Sequence, residues 1–176
     1  QPDLGYVLAP IKVGVLPNGR WVAIFGNGFS STNGYATLFV VDIEKAGDQD
    51  PTAVQKLNVD MLGNNGLGGV TLIHDVDGKI TTIYAGDLKG KLWKFDFDAG
   101  ATSKFVVSGG TAMFTATDGG GIVQPITASP VVFNHAQGGK IVVFGTGKLF
   151  ADADALDTQV QTTYAVWDKA GDAAFT

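Results

Sequence analysis

One stretch constrains the fold more than any other: residues 83–97, IYAGDLKGKLWKFDF. It reads as a β-hairpin. An apolar strand runs into a tight glycine-containing turn, and a second strand follows with large side chains on alternate positions, the period of a pleated strand. The pattern recurs. TLFVVD (37–42), KLWKFD (91–96) and TYAVWD (163–168) each close a strand on an aspartate. Before each lies a strand ending in an aromatic, Phe25, Tyr84 and Phe144, spaced 59 and 60 residues apart. Earlier still comes a short strand and a turn in which glycine precedes a base: Gly19-Arg20, Gly78-Lys79 and Gly139-Lys140. Pro10 and Pro130 are separated by twice the same period, with Val70 midway. A repeat near 60 residues, built from three or four short strands, is the signature of a β-propeller blade.

The expected fold is therefore all-β, a propeller of about three blades at residues 10–59, 70–108 and 130–176, in a single partial domain. Fourth strands are expected at 53–59 and 104–108. Three blades fall short of the four to eight with which propellers typically close. The chain, which opens on Gln1-Pro2, is expected to be a segment of a larger or incomplete propeller, with self-association through open blade edges as its hazard. Glycine agrees with this reading: 25 of 176 residues, placed mostly between β-branched and aromatic runs, where hairpins need them. The closing aspartates are expected to cap the backbone of the turn that follows. Helix is expected only as a short turn within 152–161, because the repeat assigns 52–57 to a strand.

Composition removes several functions. A net charge of −5 argues against nucleic acid, whose binding needs clustered Lys and Arg. The longest apolar runs are far too short for a membrane span. Cysteine is absent, so no disulfide, thiolate metal site or Cys nucleophile exists. Asn27-Gly28 and the GTGK of 145–148 read as hairpin turns, since neither opens a helix and GTGK lacks P-loop spacing. No G-x-S-x-G elbow occurs, and no catalytic or cofactor-binding residue is assigned. His74 and His135 fall near the ends of first strands in different blades, without ligand spacing. Trp93, Trp167, Phe39 and Phe95 alternate along third strands and read as core between blades, as does Trp21. From aromatic to closing aspartate the distances are 17, 12 and 24 residues, so the first and third blades carry insertions. These loops are expected to share a face with the Gly-rich connectors 60–69 and 109–129, and variable loops on a rigid scaffold are where binding resides.

The hairpin IYAGDLKGKLWKFD resembles the repeat of quinoprotein-type propellers. More closely, FGNGFSS…LFVVD, YAGDLKGKLWKFD, QPITASP and FGTGKLF…QTTYAVWD, in that order, resemble the C-terminal propeller of the PilC/PilY family of bacterial type IV pilus tip and assembly proteins. The resemblance implies a non-enzymatic protein of the bacterial cell surface, pilus tip, outer membrane or periplasm. It would bind pilus proteins, such as minor pilins, or a host surface, supporting extension against retraction and contributing to adhesion. Two other readings share the repeat: part of a quinoprotein dehydrogenase of the PQQ type, and a generic outer-membrane interaction propeller.

Members of the family often carry a calcium loop, D-x-N-x-D-G-x-x-D, before YAGD. Aligned there, Asp75 takes the third position, Asp77 the fifth and the Lys79 carbonyl the seventh. Ile73 and Thr81 stand at the first and ninth, so two carboxylates are missing for a cation that takes six to eight oxygens. The same residues read as a plain Asp-Gly hairpin turn. Asp152, Asp154 and Asp157 are the alternative place for a cation, or a solvated acidic loop.

Overall fold

The computed structural model describes residues 1–100 and 102–169; the last residues of the expected third blade, 170–176, lie outside them. Three antiparallel sheets follow one another along the chain. The first is β1 (Lys12–Val15), β2 (Trp21–Gly26), β3 (Ala36–Asp42) and β4 (Val54–Asp60), in that spatial order. The second is β5 (Leu67–His74), β6 (Ile80–Asp87), β7 (Lys91–Asp98) and β8 (Lys104–Val107), with a two-residue strand, β9 (Phe114–Thr115), beside the start of β7. The third is β10 (Val131–Asn134), β11 (Lys140–Gly145) and β12 (Thr163–Asp168). Strands of consecutive number pair, the meander of propeller blades.

A short 3-10 helix at Asp152–Leu156 falls inside the expected turn. A five-residue helix, α1 (Ile43–Gly47), was not expected from the repeat. The closing aspartate of β3 starts it: Asp42 Oδ1 accepts the Lys45 N–H at 3.0 Å, as an N-cap does. Among the described residues, no helix is long and apolar enough to cross a membrane.

Strand alternation divides the core into two seams. Val22, Ile24, Leu38 and Val40 of the first blade pack with Ile80, Ile83, Ala85, Trp93 and Phe95 of the second. Tyr84 and Leu92, on the other face of β6 and β7, pack with Val142, Phe144 and Val166 of the third. The second blade is thus covered on both faces. That is why residues 83–87 are all buried and why IYAGD is not an alternating sequence. The outer faces of the end blades are open. Val13 and Trp21 remain 56% and 49% exposed on one, Val131 and Phe133 55% and 57% on the other. Trp21 is therefore not core. Trp93 and Phe95 are buried between blades as expected; Phe39 is buried too, but on the outer face of the first blade against Phe25, while Trp167 is half-buried and packs against His135 at 4.1 Å.

Two residues depart by one place from the strict repeat. Tyr84 matches Ile24 rather than Phe25, because both face the following blade, whereas Ala85 and Phe144 face the preceding one. Asp168 pairs with Lys140, one position beyond the place that would match Asp42 opposite Val22. A one-residue shift turns a side chain to the other face of its sheet. The two departures meet: the Tyr84 hydroxyl donates to Asp168 across the seam, and Lys94 Nζ reaches the same carboxylate at 2.9 Å. Burial, and then the carboxylate beside it, push the Tyr84 phenol well above its ordinary pKa. The expected turn-capping role holds for Asp42. Asp168 instead ties two blades, and Asp96 accepts the Thr82 hydroxyl at 2.9 Å.

Candidate binding site

The long loops 27–35 and 146–162 gather with the connectors 61–66 and 108–130 at one end of the sheets. Asn65 N–H bonds Gly34 O at 2.8 Å, and Gly147 N–H bonds Pro125 O at 2.7 Å. A cavity of about 370 Å³ opens there, within the size range of ligand sites. Its walls are Leu8 and Pro10 from the N-terminal segment, Phe29, the Gly68-Gly69 pair that follows Leu67 at the start of β5, Ser129 and Phe150. Phe29 comes from the first blade's insertion and Phe150 from the third's. Their rings stack with centroids 4.1 Å apart, closing the arc over the second blade. Phe29 also exchanges both backbone hydrogen bonds with Tyr6, which draws the N-terminal segment alongside. Gly28 makes that approach feasible: its φ is +71°, and a Cβ there would lie 2.0 Å from Tyr6 O. No lining side chain is ionisable; the polar groups are backbone and the Thr127 and Ser129 hydroxyls. Such a cavity suits an apolar group or an extended backbone, and its walls offer no acid, base or charged clamp.

Buried polar side chains hold the loops from beneath. Asn27 Oδ1 accepts from Thr37 N (3.0 Å) and Leu67 N (2.9 Å), and its Nδ2 donates to Asp3 O (2.7 Å) and Tyr35 O (2.8 Å). One side chain thereby joins the N-terminal segment, β3 and the second blade. Asp87 is fully buried. Its Oδ1 accepts Lys89 N and Lys91 N, both at 2.9 Å, and its Oδ2 accepts Trp93 Nε1 at 2.9 Å and Asn65 Nδ2 at 3.1 Å. Burial pushes this carboxyl above the usual carboxylate range, against the pull of four donors. Asn27-Gly28 was expected to be only a hairpin turn. The signal that could have shown more is a glycine-polar pair ending each second strand: Gly26-Asn27, Gly86-Asp87 and Gly145-Thr146.

The carboxylates considered for calcium stand elsewhere. Asp75 Oδ1 accepts Asp77 N (2.9 Å) and Lys79 N (2.8 Å), and the Lys79 carbonyl accepts Asp75 N (2.9 Å). Those atoms close the β5–β6 turn, at the end of the blade away from the cavity. In the second cluster, Asp154 binds Lys148 Nζ (2.6 Å), Phe150 N (2.8 Å) and Ala151 N (3.1 Å). The lysine, then the two amides, bring its pKa down to about 2. Asp157 accepts Gln159 N at 2.9 Å, and Asp152 is exposed. Among the described residues, no three His, Asp or Glu side chains come together in a way that could hold a metal ion. Asp75, Asp154 and Asp157 already accept hydrogen bonds within their own turns, and on this ground we propose that neither set holds calcium. The melting temperature should therefore be the same in EGTA and in millimolar calcium. An ion at a hundred times its Kd would add about 2.7 kcal/mol, a rise of roughly 5–10 °C at this chain length.

Comparison with known proteins places these features. The whole chain, residues 1–176, matches the family model of the PilY1 β-propeller domain. Type IV pilus biogenesis factor PilY1 of Pseudomonas aeruginosa strain PAO1 is 39% identical over 192 residues, covering 96% of this chain and 16% of that protein. A PilY1 homolog of Xylella fastidiosa strain Temecula1 is 35% identical over 182 residues, covering 94% and 12%. The crystal structure of the P. aeruginosa PilY1 C-terminal domain matches with a TM-score of 0.86 at 38% identity, covering 99% of this chain and 40% of that one. The chain thus spans less than a fifth of the length of these two curated relatives. With sheet order, repeat and a match over every residue in agreement, this chain belongs to the PilY1 β-propeller domain family.

Proposed function

We propose that the chain serves type IV pilus biogenesis as a non-enzymatic binding segment, holding other proteins through its loop face. The observation that carries this reading is the apolar cavity together with its rim. Leu8 lines it at 65% exposed, and Tyr6 and Leu149, each 72% exposed, adjoin the lining residues Val7 and Phe150 along the chain. Exposed apolar groups clustered around a concavity mark interaction surfaces, because burying them against a partner releases roughly 25 cal/mol per Å². The relatives' names supply the process. In this reading the partners are pilus proteins, minor pilins or tip components among them, and the place of action is the bacterial surface or periplasm. Retraction control and adhesion would follow from that contact.

The test is a double substitution, Leu8→Asp with Leu149→Asp, introduced into a piliated bacterium that carries the protein. Surface pili and twitching should fall, while the purified chain melts as before. Normal piliation with the doubly charged rim would overturn the proposal.

A further inference from the structure

Resting on the protein-binding role proposed for the loop face, we infer that its third-blade side carries a second contact surface, apolar and acidic, which takes a basic segment of a protein partner with aliphatic side chains between its lysines or arginines. Two stretches build the surface. Residues 116–124 fold back as a small hairpin, with Asp118 N bonded to Ile122 O at 2.8 Å and Gln124 N to Ala116 O at 2.9 Å. The second half of the third blade's insertion, from the 3-10 helix at Asp152–Leu156 to Val160, lies beside it. Gln159 Nε2 joins the two, donating to Asp118 Oδ2 (3.0 Å) and Val123 O (3.2 Å), and Gln124 Nε2 donates to Val160 O (2.6 Å).

These stretches leave large aliphatic side chains in solvent. Ile122, Leu156 and Val160 are 63%, 82% and 77% exposed, and none of them lines the cavity beside Phe29 and Phe150. Apolar side chains left open together on adjoining segments mark a contact surface.

Charge decides what covers them. Asp118, Asp152 and Asp157 stand on the same two stretches. Asp118 accepts from the Gly120 and Ile122 amides and from Gln159, and Asp157 from the Gln159 amide, all neutral donors. Asp152 makes no side-chain hydrogen bond or ion pair among the described residues. Lys148, the lysine of the insertion, is spent on Asp154 at 2.6 Å. Gln159, and then the Ile122 amide, hold the Asp118 carboxyl below its ordinary pKa. The carboxylates are too dispersed to share a metal ion among the described residues. A neutral apolar partner would strip water from them and return no hydrogen bond, and an acidic one would be repelled. Lysine and arginine satisfy both features at once: their methylene stems cover aliphatic side chains while their heads reach carboxylates. Aliphatic residues between them would meet Ile122, Leu156 and Val160.

Nitrogen-15-labelled chain should be titrated with a blocked Gly-Leu-Lys-Leu-Lys-Leu-Gly peptide, and with the same peptide carrying glutamate for lysine. The lysine peptide should shift the amides of residues 118–123 and 152–161 to saturation, and the glutamate peptide should leave them in place. Asp152→Asn removes no internal bond, so it should keep the spectrum of the folded chain and weaken binding about two- to fivefold, the worth of one exposed charge pair. Leu156→Ser with Val160→Ser should weaken it about tenfold, from apolar area no longer covered. Leu8→Asp, at the cavity, should not weaken it. Equal shifts with both peptides, shifts confined to other residues, or undiminished binding by the Asp152 and Leu156–Val160 variants would overturn the inference. So would phosphatidylcholine vesicles that displace the peptide, since that would make the surface lipid-seeking. Pili lost in the Leu8→Asp, Leu149→Asp bacterium, beside a purified chain that ignores the lysine peptide, would strike this surface alone and leave the role of the loop face standing.

Discussion

Asparagine in place of Asp87 should lower the melting temperature by about 10 °C, from a loss of about 3 kcal/mol at a few degrees per kcal/mol for a chain of this size. The change is nearly isosteric, so packing is not at issue. Four N–H groups converge on the two oxygens of Asp87, from Lys89, Lys91, Trp93 and Asn65. An amide offers one oxygen and one NH₂. Whichever way it turns, two buried donors lose their acceptor and meet another donor. Neutralising the side chain does relieve the cost of burying charge, the same burial that raises its pKa. That gain is smaller than two unsatisfied buried donors, because the carboxylate is already stabilised by four hydrogen bonds. Trp93→Phe, which removes one donor and leaves the carboxylate three, should cost less. Circular dichroism melts of the two variants check the order. An Asp87→Asn protein that melts with the wild type would show that water replaces the lost acceptor and would remove Asp87 from the account of the fold.

Gly26→Ala should open the seam between the first two blades and cost about 3 kcal/mol, at the upper end for overpacking because the obstacles are backbone. A Cβ at residue 26 would lie 2.2 Å from Gly68 O and 2.5 Å from Leu67 O. Neither atom can rotate away. Separating them strains two bonds that cross the seam, Gly28 N–H to Leu67 O at 3.0 Å and Leu67 N–H to Asn27 Oδ1 at 2.9 Å. Both also shape the cavity wall, so the loss should appear in loop-face binding as well as in stability. Gly47→Ala is the control, since nothing lies within 4 Å of its added methyl group. It should melt within about a degree of the wild type. Equal melting of the two variants would mean that the seam yields without cost.

The blades were legible because each strand alternates and each hairpin carries its own turn chemistry, both local properties. The fourth strands came out of the same repeat, and β4 and β8 are where it put them. Using the aromatic as the landmark misplaced the middle repeat by one residue. Tyr84 was taken as equivalent to Phe25, although the glycine that follows, Gly86 like Gly26, fixes the register. Trp21 was taken as core by analogy with Trp93, but its strand face has no described neighbour blade to cover it. The helix α1 was missed because it depends on Asp42 capping five residues of otherwise weak signal. The roles of Asn27, Asn65 and Asp87 were hidden for a different reason. Polar residues beside glycine look like solvated turns in a sequence, and only the approach of a second blade makes them interior. The binding cavity was legible only as a face. That Phe29 and Phe150 would stack depends on contacts 121 residues apart, which no local pattern encodes.

The order of the sheets sets an order in time. Every described strand of the first blade lies before residue 61, and none among the described residues comes from later in the chain. Hairpins between sequence neighbours close over short loops, with little entropy to overcome. A nascent chain emerging N-terminus first can therefore pair all four strands of β1–β4 while the rest is still unmade. The middle blade cannot finish so early. Ile83 finds the first blade already made, but Tyr84 has no carboxylate to meet until residue 168 arrives. The apolar IYAGD strand thus stays half-covered while residues 88–168 are made, and the interval before the third blade docks is when this part of the chain is most open to misassembly.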